Sequence, residues 1–308
     1  MNKIAYLFPG QGSQYIGMGK ELYDHFEAVR EVFGQANEIL GYDLAKLCFE
    51  GPLLKLSRTQ YTQGAILTVS TACHRVLASQ LSSLSPEYVA GHSLGEYSAL
   101  CAAGAVTFTD ALLLVKERAS LMEEEAKKHP GGMAAILGLG QEEVEEVCSR
   151  VRGDKILSLA NLNCPGQIVI SGEEEALIRA MELAKERGAR RAIRLKVSGG
   201  FHTPLMENAA KRFSEVLEGV EFHSPRIPVV TNVEAKPAKE TKKALKEQIS
   251  SPVRWQESVE FMISEGVDCF IEIGPGRVLS GLLRRINKEV RVKNVEDLKS
   301  LEAIKDVA

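Results

Sequence analysis

Short apolar runs alternate with longer amphipathic segments through the first part of the chain. A short apolar run is typical of a buried strand, and apolar positions three and four apart are typical of a helix that covers a sheet. The pattern predicts a strand at 4–8, helices at about 19–40 and 60–81, a strand at 88–90, a helix at 96–103, and a long helix from a cap at Thr109 to about Lys128. Strands that alternate with helices predict a mostly parallel sheet with helices on both faces.

A different pattern of predicted strands and helices begins near residue 131, and paired glycines at 131–132 and 199–200 flank this region. It predicts a strand at 133–137, a helix at 141–152, strands at 155–159 and 167–170, a helix at 173–187, and a strand at 190–197. The order β-α-β-β-α-β is that of a ferredoxin-like unit. We therefore expect residues 130–197 to form a small domain inserted into a larger one made of 1–129 and 198–308.

The α/β alternation resumes after the insert. It predicts a strand at 228–232, then a helix that ends at about 249 and a second helix at 255–265. A strand at 269–273, a helix at 278–286 and a strand at 290–295 follow. The polar tail at 296–308 is expected to cover an edge of the sheet or to fray.

The composition is that of an ordinary globular protein, 44% hydrophobic and 26% charged over 308 residues. A net charge of -3 gives no general reason to expect nucleic acid or an anionic membrane as a partner. No apolar run approaches the roughly 18–20 residues that span a bilayer, and the apolar start is too short for a signal peptide. We expect a cytoplasmic protein without a membrane partner.

Six cysteines are scattered along the chain with no C-x-x-C pair and no cysteine–histidine cluster. Free thiols in a reducing compartment account for this pattern, and a zinc site is not expected.

The segment Gly91-His92-Ser93-Leu94-Gly95 reads G-x-S-x-G between a predicted strand and a predicted helix. A serine at such an elbow stands on a tight turn, where flanking glycines let neighbouring backbone approach closely. Its hydroxyl then lies at a helix N-terminus, whose N–H groups favour negative charge. This predicts a serine nucleophile, although the same five letters also occur by chance in glycine-rich loops.

A serine nucleophile needs a base, which is usually histidine. His202 follows a predicted strand and precedes Thr203-Pro204, which begin a helix, so it lies where parallel sheets place their working loops. A capping role at that helix fits the position equally well. His92 adjoins the serine, but its side chain leaves the elbow in another direction. Solvent exposure is expected for His25, His74 and His129, which lie on polar helical stretches.

Arg118 lies on the apolar face of its predicted helix. The residues one turn away on either side are Leu114, Val115, Leu121 and Met122. An arginine in this setting reaches solvent, pairs with an internal carboxylate, or faces a pocket that receives an anion. Its planar guanidinium suits a substrate carboxylate, which it holds through two parallel bonds. A structural ion pair and a substrate contact fit these residues equally well.

The loop Gly10-Gln11-Gly12 follows the first strand, and its spacing matches neither phosphate-loop fingerprint, so a nucleotide site is poorly supported. A backbone N–H at Gln11 would instead suit a developing oxyanion. Asn161 and Asn163 end a predicted strand of the insert, where turn chemistry around Pro165-Gly166 is an alternative role.

Taken together, these segments resemble the malonyl-CoA:acyl carrier protein transacylases, the acyltransferase family of fatty acid synthesis. The resemblance covers nearly the whole chain. Its motifs are FPGQGSQ at 8–14, GHSLGE at 91–96, Arg118 in its helix, NLN at 161–163 ahead of PGQ at 165–167, FHTPLM at 201–206, Gln248 ahead of SPVRW at 251–255, and EIGPG at 272–276. It implies a hydrolase-like α/β domain that carries a ferredoxin-like insert.

The resemblance also implies roles for the matching positions. Ser93 would be the nucleophile and His202 its base, oriented by the main-chain carbonyl of Gln248. The backbone N–H groups of Gln11 and Leu94 would form the oxyanion hole.

Three further positions would face the substrate. Arg118 would bind the malonyl carboxylate, and Asn161 would be a supporting polar contact near His202. Phe201 is typical of family members that choose malonyl over the branched methylmalonyl group.

The implied reaction is a ping-pong transfer of malonyl from malonyl-CoA to the phosphopantetheine thiol of acyl carrier protein through a malonyl-serine. No cofactor or metal is implied, since CoA is the carrier of the substrate, and we expect a monomer. A basic cluster in the insert suits an acidic carrier protein, but a solvated surface explains it equally well. The cluster is Lys185, Arg187, Arg190, Arg191, Arg194 and Lys196.

Two other functions fit the same serine elbow. An esterase or thioesterase predicts a buried carboxylate partner for His202 and a pocket without Arg118. A non-catalytic carrier-binding module predicts that Ser93→Ala changes nothing measurable.

Overall fold

The computed structural model describes residues 3–305, and the last residues of the predicted tail, 306–308, lie outside the described residues. The described chain forms two compact units. The first runs through Lys116 and includes 220–231 and the chain from Phe261 onward, and the second takes in Glu117–Gly219 and Asn232–Glu260.

Each unit contains one sheet. The strands of the described chain are β1 (Ile4–Phe8), β2 (Tyr88–Gly91), β3 (Gly131–Leu137), β4 (Leu157–Cys164), β5 (Gln167–Glu173), β6 (Arg191–Arg194), β7 (Val229–Val230), β8 (Cys269–Ile273) and β9 (Arg291–Val295). The first sheet has the order β7-β2-β1-β8-β9, and all of its pairings are parallel. β1 and β8 are buried at every position, which explains why their residues, apart from Glu272 in β8, are apolar rather than alternating with polar ones.

Helices connect these strands. They are α1 (Lys20–His25), α2 (Glu27–Leu40), α3 (Leu44–Glu50), α4 (Leu53–Leu56), α5 (Thr59–Gln80), α6 (Gly95–Ala102), α7 (Phe108–Lys128), α8 (Gln141–Arg152), α9 (Glu174–Glu186), α10 (Glu207–Glu218), α11 (Thr241–Gln248), α12 (Trp255–Ser264), α13 (Val278–Ile286) and α14 (Leu298–Glu302). A 3₁₀ helix at Pro204–Met206 precedes α10.

Three helix predictions need correction. The single helix expected at 19–40 is two helices, because Phe26 adopts an extended conformation with φ -120° and ψ 125°. The short helices α3 and α4 were not predicted, since each is too short to show a full amphipathic period. The cap of α7 is Thr107 rather than Thr109, because the Thr107 hydroxyl accepts from the N–H of Asp110 at 3.1 Å.

The second sheet has the order β4-β5-β3-β6 with antiparallel pairings, and its chain order β-α-β-β-α-β is the one predicted. The helices α8 and α9 cover its apolar face, where Ile136 and Ile170 of the sheet share one core cluster with Val144 of α8 and Leu177 of α9. β4 is longer than predicted and includes Asn161 and Asn163, because pairing with β5 continues to Cys164 through two register shifts.

The second compact unit is larger than this sheet and its two helices. It also takes in all of α10 and α11 and part of α7. The domain boundaries predicted at 130 and 197 stay a prediction.

All six cysteines are free thiols. None of the helices within residues 3–305 has the length and hydropathy that a bilayer crossing requires.

Candidate active site

Ser93 lies on a tight turn between β2 and α6. Its φ is 50°, in the left-handed region that costs a non-glycine residue about 1–3 kcal/mol. The turn is closed by the N–H of Gly95, which donates to the carbonyl of His92 at 2.9 Å, and by the N–H of Glu96, which donates to that of Ser93 at 3.1 Å. The strained turn presents the serine side chain at the N-terminus of α6.

Glycine is required on both sides of Ser93 for steric reasons. A Cβ on Gly91 would lie 1.9 Å from the carbonyl carbon of Gly95, and a Cβ on Gly95 would lie 2.0 Å from the carbonyl oxygen of Phe8. Both obstacles are backbone atoms of packed elements, so neither can move aside cheaply. The elbow therefore depends on close contact between β1, β2 and α6.

The loop after β1 runs directly beside the elbow. The N–H of His92 donates to the carbonyl of Phe8 at 3.0 Å, and a Cβ on Gly10 would lie 2.3 Å from the carbonyl oxygen of His92. Gln11 follows Gly10 on this loop, and its side-chain amide donates to the Thr59 hydroxyl at 3.4 Å.

Two backbone amides of the first unit suit an anion. Among residues 3–305, neither the N–H of Gln11 nor that of Leu94 donates to another protein group. Leu94 is the N-cap residue of α6, where amides lack helical acceptors. These are the two groups that the sequence predicts for an oxyanion hole.

His202 is buried in the second unit, and its backbone is also in the left-handed region, with φ 61°. Its Nδ1 lies 2.8 Å from the main-chain oxygen of Gln248. A carbonyl only accepts, so Nδ1 carries the proton and Nε2 carries the lone pair that a base needs. The N-cap of the following 3₁₀ helix is Thr203, so His202 does not have the alternative capping role.

Close packing fixes the segment that precedes His202. A Cβ on Gly199 would lie 2.4 Å from the Cβ of Ala126 on α7, so only glycine lets the segment approach that helix. The Thr203 hydroxyl donates to the carbonyl of Gly200 at 2.6 Å. Phe201 is buried at the end of this segment.

Arg118 is 1% exposed, and its Nη2 donates to the side-chain oxygen of Gln248 at 3.0 Å. Gln248 therefore makes two kinds of contact: its main-chain carbonyl holds His202, and its side-chain carbonyl holds Arg118. The second unit therefore brings two predicted site residues, His202 and Arg118, together through a third, the buried Gln248.

Asn232, which was not predicted as a site residue, belongs to the same cluster. The side-chain amide of Gln248 donates to Oδ1 of Asn232 at 3.5 Å, and the main-chain oxygen of Asn232 accepts from the N–H of Arg254 at 3.0 Å. A signal was present, because Asn232 ends a predicted strand of a parallel sheet, where functional polar residues gather.

Asn161 lies on β4 and is buried. Next to it, the N–H of Leu162 donates to the carbonyl of Val253 at 2.9 Å, and the N–H of Val253 donates to that of Ala160 at 2.8 Å. These bonds add the segment before α12 to the edge of β4. The role of Asn161 near His202 stays a prediction.

Backbone strain marks the two residues predicted to exchange a proton. Within residues 3–305, the non-glycine residues with positive φ are Ser93, His202 and Ala235. Left-handed backbone persists at such residues only where the surrounding structure enforces it, and it concentrates at functional sites.

One histidine prediction was wrong. His74 is not solvent-exposed on a polar stretch, because its ring lies against Tyr6 and Phe8 with ring-centroid distances of 6.1 Å to each. Burial lowers the pKa of His74 to about 4, so it is neutral at physiological pH.

Within the described part of the chain, no cluster of three or more histidine, cysteine or acidic side chains could hold a metal ion.

The fold and the elbow together define a class of protein. The protein is α/β hydrolase-like, with a serine on a strained strand-to-helix turn, two backbone amides beside it that suit an anion, and a separate antiparallel sheet.

Comparison with known proteins identifies the family. The model of the acyl transferase domain family matches residues 5–306, and the chain belongs to this family. The malonyl CoA-acyl carrier protein transacylase of Bacillus subtilis is 48% identical over 306 residues, which cover 98% of this chain and 96% of that protein. The enzyme of the same name from Haemophilus influenzae is 43% identical over 99% of both chains.

Solved structures agree with this assignment and confirm the predicted fold class. The malonyl-CoA:acyl carrier protein transacylase of Xanthomonas oryzae has a TM-score of 0.96 at 41% identity and covers 100% of this chain and 98% of that one. A malonyl-transacylase solved in complex with its type II PKS acyl-carrier protein also has a TM-score of 0.96, at 43% identity, and covers 99% of this chain and 100% of that one. The resemblance drawn from the seven motifs is confirmed.

Proposed function

We propose that the protein transfers a malonyl group from malonyl-CoA to the phosphopantetheine thiol of acyl carrier protein and so supplies fatty acid elongation. The observation that carries the proposal is the buried Gln248, which contacts both Arg118 and His202. Gln248 thereby connects the guanidinium of Arg118, which suits a carboxylate, with the imidazole of His202, which suits proton transfer. Full-length relatives with the corresponding name support the same activity.

In the first half-reaction, Ser93 Oγ attacks the thioester carbon of malonyl-CoA while Nε2 of His202 takes the hydroxyl proton. The carbonyl oxygen becomes an oxyanion that accepts from the backbone N–H groups of Gln11 and Leu94. The C–S bond then breaks, and CoA leaves with the proton that His202 returns. Positioned proton transfer contributes roughly 10²–10⁴-fold, and one oxyanion donor contributes about 10²–10³-fold.

The second half-reaction repeats these steps with the carrier thiol. His202 takes the thiol proton, the thiolate attacks the malonyl ester, and Ser93 leaves as the hydroxyl after it regains the proton. The same amides stabilise the second oxyanion. Water must be disfavoured as an acceptor of the malonyl group, because hydrolysis of the malonyl-serine ester would release malonate before the carrier thiol could react.

Arg118 gives the reaction its acyl-group preference. The planar guanidinium of the buried Arg118 suits a malonyl carboxylate, because two of its N–H groups match the two carboxylate oxygens. The Gln248 side chain holds one nitrogen and so fixes the plane of the group. Phe201, which is buried beside His202, narrows the choice to malonyl over a branched group.

The partner of His202 favours transfer to a thiol over an esterase function. Nδ1 donates to a neutral carbonyl rather than to the carboxylate that the esterase alternative predicts. A carbonyl stabilises imidazolium less than a carboxylate does. This suits thioester chemistry, because a thiolate leaves with little protonation.

Asn161 supports the position of His202 through a polar contact. The enzyme needs no cofactor, acts as a monomer and works in the cytoplasm, where its cysteines stay reduced.

Mass spectrometry tests the proposal directly. Brief exposure to malonyl-CoA should add one malonyl group to the peptide that carries Ser93, and added acyl carrier protein should remove it as malonyl-carrier. Ser93→Ala should acquire no adduct. Release of the malonyl group as free malonate, at the same rate with and without the carrier, would instead identify a thioesterase.

A further inference from the structure

Exposed apolar side chains gather on one surface of the first unit. Leu54 is 85% exposed and Leu53 is 51% exposed on the short helix α4, and Tyr15 and Ile16 are exposed in the loop that follows Gln11. We call these four residues, together with Lys55 and Arg58, the α4 surface. Large apolar side chains that are exposed together mark an interaction site more often than single ones do.

Contacts between the two segments show that this surface is continuous. The N–H of Gly17 donates to the carbonyl of Cys48 at 2.8 Å, and a Cβ on Gly51 would lie 2.8 Å from Cδ1 of Ile16. Residues 15–17 therefore run beside the chain that enters α4. Leu54 contributes little to the core, so the fold does not explain its presence.

The surface is cationic at its edge. The Lys55 Nζ lies 4.9 Å from the ring centroid of Tyr61, and the Arg58 guanidinium lies 5.9 Å from the same ring. Among residues 3–305, no carboxylate forms an ion pair with Lys55. Two cations beside two leucines fit a partner whose contact face is both acidic and apolar.

The basic cluster of the predicted insert is less suited to such a partner. Arg187 pairs with Glu146 at 3.1 Å, and Arg194 holds Glu174 through two bonds, one of them at 2.8 Å. These carboxylates neutralise part of the charge that the sequence alone attributes to the cluster.

The α4 surface is tied to the loop that carries the proposed oxyanion donor. The side-chain amide of Gln14 donates to the Ser57 hydroxyl at 3.4 Å, and that of Gln11 donates to the Thr59 hydroxyl at 3.4 Å. Ser57 directly follows α4, and Thr59 is the first residue of α5. A protein docked on α4 therefore lies next to the loop at which its thiol must arrive.

We propose that the α4 surface is the docking site of the acyl carrier protein. This inference rests on the proposed function, which supplies an acidic carrier as the second substrate. Lys55 and Arg58 meet its acidic side chains, and Leu53 and Leu54 meet its apolar ones.

The test compares Leu54→Glu and Lys55→Glu with Ile178→Glu. Ile178 is a matched control, because it is 46% exposed on α9 of the second unit. Three rates are measured: formation of malonyl-enzyme from malonyl-CoA, transfer to free pantetheine, and transfer to the carrier protein. Both α4 variants should raise KM for the carrier by about tenfold or more and leave the other two rates unchanged. The control should leave all three unchanged.

Salt gives a second measurement that a structural defect would not imitate. The carrier KM of the wild type should rise with ionic strength, and Lys55→Glu should flatten that rise. A carrier KM in both α4 variants equal to that of Ile178→Glu would overturn the inference, as would a rise seen only in Arg190→Glu/Arg191→Glu. A wild type that forms no malonyl-enzyme would refute the proposed function instead.

Discussion

The serine elbow and the cluster around Gln248 are held in place by different forces. At the elbow, neighbouring backbone segments approach so closely that Gly91 and Gly95 admit no side chain. In the cluster, His202, Arg118 and Asn232 are held by hydrogen bonds to one buried glutamine. The first arrangement is steric and is built on a motif that is local in sequence, whereas the second is polar and assembled from distant segments.

This difference predicts different responses to mutation. A steric elbow tolerates no added atom, so its failure should appear as loss of the fold. A polar cluster of partially independent bonds should lose individual functions in steps.

Gly95→Ala should be the most damaging change. Its Cβ would lie 2.0 Å from the Phe8 oxygen, and Phe8 belongs to β1, which is paired on both sides. Such an overlap should cost about 4 kcal/mol or more of unfolding free energy, measured by denaturant titration. Gly34→Ala is the control, because a Cβ there meets nothing within 4 Å inside α2 and should stabilise by about 0.5–1 kcal/mol. Equal stability of the two variants would contradict the steric account of the elbow.

Arg118→Ala should change the preference between malonyl-CoA and acetyl-CoA rather than unfold the protein. Malonyl transfer should fall by about 10²-fold, since a desolvated carboxylate then lacks its cation, while acetyl transfer should hold or improve. The measurement is kcat/KM for both acyl-CoA substrates. An equal fall for both would show that Arg118 has a structural role.

Gln248→Glu tests whether the two contacts of Gln248 are independent. Its main chain still holds Nδ1 of His202, but the new carboxylate competes for Arg118. We expect malonyl kcat/KM to fall by about 10-fold, equivalent to roughly 1.4 kcal/mol, with acetyl transfer little changed. A parallel fall in acetyl transfer would show that the side chain of Gln248 also acts through His202.

The same contrast explains what the sequence could predict. Gly91, Ser93 and Gly95 lie within five consecutive positions, so the elbow and its strand and helix were predicted from one short stretch of sequence. The β-α-β-β-α-β order was likewise visible, because each element is a continuous stretch. The contact between Arg118 and the Gln248 side chain was not, since it joins residues 130 positions apart through a fold that no local pattern encodes.

Asn232 should give the smallest effect, and it tests the part of the cluster that the sequence did not indicate. Arg118 only donates, so the oxygen of the Gln248 amide must face it and the nitrogen must face Oδ1 of Asn232. At 3.5 Å this bond is long, and its loss in Asn232→Ala should cost about 0.5–1 kcal/mol, a roughly 2–5-fold drop in malonyl transfer through KM. Asn232→Asp keeps an acceptor and should retain more activity than the alanine variant. If Asn232→Ala instead lowers malonyl and acetyl transfer alike with an unchanged KM, Asn232 does not act through the orientation of Gln248 and Arg118.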